Sequence, residues 1–138
     1  ITDYGFKSEI ESANTDSSYI TSFKRQKEKI ITYIKENDQT REDRIKIHFG
    51  SITCVRQVID LEGFFEENIT SVDRKAIALE MESYGVSRAC EIVNDGNTVA
   101  LIIKSAMDNT VDKVDNAKSF AAWTSAMFVK YILENDLI

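Results

Sequence analysis

Apolar positions along this chain follow two periods, one helical and one extended. From Tyr19 to Asn37, Tyr19, Ile20, Phe23, Ile30, Ile31 and Ile34 recur near helical spacing, with Lys24, Arg25, Lys27, Glu28, Lys29 and Lys35 between them. That pattern predicts an amphipathic helix, and Asp16, Ser17 or Ser18 offers an oxygen to cap it. A closing helix is predicted over Lys118 to Leu133, where Phe120, Ala121, Trp123, Ala126, Met127, Val129, Ile132 and Leu133 form a broad stripe. Trp123 is assigned to the core or to a subunit interface. The stretches Ile1 to Ser18 and Asn37 to Arg44 are polar and carry no clear period, so they read as a strand remnant with a loop and as a second loop.

The middle of the chain changes to a period of two. Ile45, Ile47 and Phe49 alternate with Lys46 and His48, Gly50 interrupts, and Ile52 to Val55 resumes, which predicts strand on both sides of the glycine. Two further apolar runs, Ala76 to Leu79 and Thr98 to Ile103, are too short for helices and rich enough in Ile, Val and Ala for buried strands. Between them Tyr84, Val86, Ala89, Ile92 and Val93 make a helical stripe, closed by Asn94-Asp95-Gly96. The expectation is a strand, crossover helix, strand unit, which joins parallel strands. Leu61 to Asn68, anchored by Phe64 and Phe65, predicts a short helix covering the site, and Thr70 to Lys75 and Asn109 to Asn116 read as connections.

In open α/β sheets ligands lie outside the carboxyl ends of the strands, and both runs lead into carboxylates: Glu80 and Glu82 after the first, Asp108 after the second. Residues two apart on an extended chain face the same side, so Glu80 and Glu82 can share one cavity. An alternative stands beside this, because acids at a helix start also meet the positive end of its dipole.

Length and charge narrow the function classes. The 138 residues suit one domain. No apolar run approaches the ~18 residues of a membrane span, and Ile1 to Gly5 lacks the basic start and apolar stretch of a signal peptide. A net charge of −6 leaves no basic stripe for a nucleic-acid backbone. Cys54 and Cys90 read as free thiols in a reducing cytoplasm. A single histidine, His48, placed on a strand as a core or supporting residue, leaves no zinc constellation, so no metal is expected.

Glu80-Met81-Glu82, followed by Ser83-Tyr84-Gly85-Val86-Ser87-Arg88-Ala89-Cys90, resembles the Glu-Met-Glu signature of the purine nucleoside phosphorylase and uridine phosphorylase superfamily. It is most similar to the methylthioadenosine/S-adenosylhomocysteine nucleosidase branch. Lys104-Ser105-Ala106-Met107-Asp108 sits where that family has a basic residue, small residues and its catalytic Asp. The likeness extends through Ile47-His48-Phe49-Gly50-Ser51-Ile52 and through Ala121, Ala122, Ser125 and Phe128. It implies an α/β fold with a phosphorylase/hydrolase-like mixed β-sheet flanked by helices. Residues 1–138 would form the C-terminal portion of that domain, and its N-terminal part, with the phosphate or water site, would precede Ile1. It also implies a homo-oligomer and a purine nucleoside or nucleotide as substrate.

Under this resemblance Asp108 is the general acid that protonates the departing base, Glu82 accepts from the ribose hydroxyls, and Met81 packs on the sugar. Val58 and Ile59 line the base pocket. Glu80 either joins the substrate contacts or orients the turn, and Lys104 either neutralises a carboxylate or supports the strand end. Arg56 is a surface residue or a phosphate partner. Hydrolysis is expected, with no cofactor; the alternatives are phosphorolysis, with phosphate as co-substrate, and a catalytically inactive nucleotide-sensing module.

Overall fold

The computed structural model describes residues 17–37, 45–56, 63–93, 97–106 and 116–138. Its elements are α1 (Ser17–Asn37), β1 (Ser51–Cys54), one π-helical turn (Phe65–Thr70), β2 (Ala76–Glu80), α2 (Ser83–Ile92) and α3 (Asn116–Glu134). The arrangement is α/β: two long helices pack together, and a two-stranded parallel sheet carries the third helix at its carboxyl end.

The core belongs to the helix pair. Phe23, Ile30 and Ile34 of α1 meet Met127, Phe128, Tyr131 and Ile132 of α3, all buried. Phe23 stands edge-on to Phe128 with ring centroids 5.8 Å apart, and Tyr33 stands edge-on to Tyr131 at 5.2 Å. Early residues of α1 thus meet early residues of this α3 face and late meet late, so the helices run in the same sense. At the late end the Tyr33 hydroxyl donates to Glu134 at 2.7 Å, and Leu137 packs over the cluster.

The parallel pair is held at both ends. Asp73 accepts from the Lys75 N–H at 2.9 Å and from the Ser51 hydroxyl, which ties the approach to β2 onto the start of β1. At the other end the Val55 N–H donates to the Glu80 carbonyl at 2.8 Å. Gly50 precedes the register irregularity between Ser51 and Ile52, and a Cβ there would stand 3.0 Å from the Ile77 side chain. Glycine is therefore what allows Ile77 to cross this point.

Three expectations differ from what is observed. Ile45 to Phe49 is not a strand, yet Ile45, Ile47 and Phe49 pack on the helix core while Lys46 and His48 are exposed. Thr98 to Ile103 is not a strand among the described residues either, and the parallel neighbour of β2 is β1. Leu101 and Ile103 reach the α1–α3 cluster while Val99 is exposed, so the segment's apolar side chains are used by the helices. The third difference is α2, where Val86, Ala89 and Ile92 of the predicted stripe, with Val93 just after the helix, face outward, while Ser83 is buried and Tyr84, Ser87 and Cys90 are half-buried. The azimuth of α2 is fixed at its first residue, as the site shows. Met107 and Asp108, with Val58 and Ile59, lie outside the described residues.

Ile132 is 1 % exposed in the middle of the helix interface, whereas its neighbour Leu133 is 57 % exposed. Ile132→Ala is expected to lower the unfolding free energy by ~2–5 kcal/mol and Leu133→Ala by no more than ~0.5 kcal/mol. Urea denaturation measures both, and equal losses would mean that α3 packs through a different face.

Candidate functional site

The carboxyl end of β2 turns directly into α2, and one side chain organises the turn. Glu80 is only 7 % exposed, and its carboxylate accepts from the Glu82 N–H at 2.8 Å, from the Ser83 N–H at 2.8–2.9 Å and from the Ser83 hydroxyl. Cys54, its register partner on β1, adds a thiol donor, and the Lys104 Nζ stands 3.4 Å away. Donors at a helix start leave N–H groups without intrahelical partners, and a carboxylate there satisfies them while meeting the positive end of the dipole. The bond to Ser83 also buries that residue, which turns Ser83, Ser87 and Cys90 inward and rotates the apolar stripe out.

A carboxylate offers about four acceptor positions. In Glu80 these are taken by the turn, by Cys54 and by Lys104, which leaves no acceptor capacity for a sugar hydroxyl. Glu82 is placed differently. It is the N-terminal cap residue of α2, yet its side chain makes no cap bond and is 69 % exposed, with Oε2 2.8 Å from the Lys104 Nζ. The ammonium therefore bridges two carboxylates, one buried and one open to solvent. Met81, between them, is 43 % exposed.

Charge in this cluster is strongly biased. Burial works against ionisation of Glu80, but the Ser83 hydroxyl, the Glu82 and Ser83 N–H groups and Cys54 outweigh it and hold the group at about 2, against the usual 4.5. Burial together with the Glu80 carboxylate pushes the Cys54 thiol up to about 11. The hydrogen bond to Glu82 raises Lys104, burial opposes it, and the bond to Glu80 adds to the rise. At neutral pH Glu80 is thus a carboxylate and Lys104 an ammonium, beside a protonated thiol. The open Lys104–Glu82 pair contributes little to stability, on the order of 0–1 kcal/mol, so its place is better understood as geometry than as energy.

Of the residues singled out by sequence, the structure brings Glu80, Met81, Glu82 and Lys104 together; Arg56 is exposed. Val58, Ile59 and Asp108 lie outside the described residues. Sequence reasoning passed over Cys54 and Ser83 as partners of Glu80. An acid three residues before a serine at a strand-to-helix junction was the available signal for Ser83. Among the described residues no group of three His, Cys, Asp or Glu side chains gathers to hold a metal, and no helix is long and apolar enough to cross a membrane. No protein-family model matches the chain, and no curated protein or solved structure matches it.

A carboxylate whose folded pKa lies below its unfolded value stabilises the fold above the unfolded value and loses that contribution as pH falls toward the folded one. For Glu80 the window runs from pH 4.5 down to about 2. The loss across it is on the order of 3 kcal/mol. Glu80→Gln is expected to lower stability at pH 7 and to flatten this acid limb, as read by urea denaturation across pH; an unchanged limb would remove Glu80 from the turn's energetics. The Cys54 thiol, at about 11 against an ordinary 9.0, is expected to alkylate about 100-fold more slowly at neutral pH than a free cysteine. Mass-resolved iodoacetamide kinetics check this, and a free-cysteine rate would mean that the thiol is not held by Glu80.

Proposed function

We propose that the chain carries the ribose-and-base site of an enzyme that cleaves the N-glycosidic bond of a purine nucleoside or nucleotide by hydrolysis, in a phosphorylase/hydrolase-like α/β fold and a cytoplasmic setting. The observation that supports the reading most is the division of labour at the end of β2: Glu80 is consumed by the turn, and Glu82 is held beside it with its carboxylate open to solvent. A solvent-facing carboxylate on a fixed turn suits the bidentate acceptance of a vicinal diol. Met81, half-open next to it, offers a soft apolar contact for the sugar face.

In this reading Glu82 binds the ribose and Glu80 positions it. Asp108, four residues beyond Lys104 in sequence, supplies the proton that makes the base a better leaving group. Positive charge growing on the sugar is stabilised by the nearby carboxylate. Lys104 holds the Glu82 carboxylate in place. Water serves as nucleophile in hydrolysis, and phosphate would take its place in phosphorolysis.

The test is chromatographic detection of free base from adenosine, inosine, methylthioadenosine and adenine nucleotides, with and without phosphate. Release without phosphate is the expected result, release only with phosphate would make the protein a phosphorylase, and binding without release would make it a sensing module. Asp108→Asn is expected to cut release by ~10²–10⁴-fold with binding retained. Glu82→Gln is expected to weaken nucleoside affinity roughly tenfold or more. Wild-type turnover by the first variant would take Asp108 out of the mechanism, and unchanged affinity in the second would leave Glu82 a surface residue.

A further inference from the structure

We propose that the hydroxyls of Ser105, Thr124 and Ser125 form a clamp that sets the position of Lys104 and, through it, the aim of the Glu82 carboxylate. Ser105 and Thr124 are then positioning residues that act on the site from outside it. This deepens the nucleoside reading only in its consequence for binding, because the clamp's geometry stands without any substrate.

Thr124 is buried in α3, with its oxygen 3.0 Å from the Phe120 carbonyl and 2.9 Å from the Ala121 carbonyl. Its Oγ1 also lies 2.8 Å from the Ser105 hydroxyl oxygen, a bond in which either hydroxyl can donate. Ser125 donates to Ser105 at 2.9 Å, with the Ala121 carbonyl 3.1 Å from the same oxygen. Ser105 is therefore hydrogen-bonded to two consecutive residues of α3. Both partners have a fixed position, since α3 is anchored in the core by Met127, Phe128 and Ile132.

Lys104 is the neighbouring residue. Leu101, Ile103 and Ser105 share the side of the segment that faces the helices, and Lys104 points the other way, to Glu82 at 2.8 Å and Glu80 at 3.4 Å. Among the described residues no strand assignment holds 98–106 in register. Apolar contacts such as those of Leu101 and Ile103 are non-directional and permit sliding, whereas a hydrogen bond to a fixed hydroxyl does not. The hydroxyl clamp thus fixes Ser105 against α3 and links the helix layer to the turn that carries Glu82.

Lysine-selective ¹⁵N NMR of the side-chain ammonium groups tests this, with Lys104 assigned through Lys104→Arg and Lys130 as an internal reference paired with Glu134 at 3.7 Å. The Lys104 signal is expected to show slowed proton exchange that disappears in Glu82→Gln. Thr124→Val and Ser105→Ala should abolish that signature while leaving Lys130 unchanged, and Thr124→Ser should restore it. Ser105→Ala carries the test if Thr124→Val does not fold. A Lys104 signal unaltered in Ser105→Ala would overturn the clamp. Adenosine binding by isothermal titration should weaken about 2- to 10-fold in the clamp variants. Failure of the unmutated chain to bind adenosine would sink the nucleoside reading, with the Lys104 signal still deciding the clamp.

Discussion

A carboxylate removed from water must be given donors, and the centre of this molecule is built on meeting that demand. Glu80 is nearly buried, and isolated ionised groups are too costly to keep in that state. The chain answers with two backbone N–H groups, a serine hydroxyl, a thiol across the sheet and an ammonium at longer range. The donors come from four stretches: β1, the β2–α2 turn, the first residue of α2 and the 98–106 segment. One side chain thus fixes where β1 ends, where α2 begins and which way α2 is rotated.

The second organising element is the packing of α1 on α3, which holds almost all of the fully buried apolar volume. The two centres differ in character. The helix pair is non-directional and tolerant of small shifts, whereas the turn is directional and intolerant of them. The segment 98–106 touches both, with apolar residues on the helices and Lys104 on the turn. A site placed at such a junction receives its rigidity from polar geometry and its stability from the helices.

The helices were legible because a 3.6-residue stripe survives in sequence. α1 and α3 extend the predicted spans by about two residues at an end, where fraying and caps decide. Alternation at Ile45 to Phe49 and the apolar run Thr98 to Ile103 predicted strands, but neither pattern says whether a ladder forms, and here the helix pair takes side chains from both segments instead. The outward turn of the α2 stripe was illegible, since periodicity defines a face and not its direction; the Glu80–Ser83 bond sets that. The Ser105, Thr124 and Ser125 cluster left no trace in spacing, because its members lie 19 and 20 residues apart. Glu82 and Lys104 could be nominated by motif, but the commitment of Glu80 to the turn emerged only from its bond count.

The outward face of α2 has a colloidal consequence. Val86, Ile92 and Val93 are each more than half exposed within one short helix. At neutral pH a net charge of −6 opposes the approach of further copies of the chain. Salt screens that repulsion, and it vanishes as the pH falls to the isoelectric point of about 4.8. Contact between copies at this face is therefore a contest of long-range charge against short-range apolar attraction, set by the medium as much as by the fold.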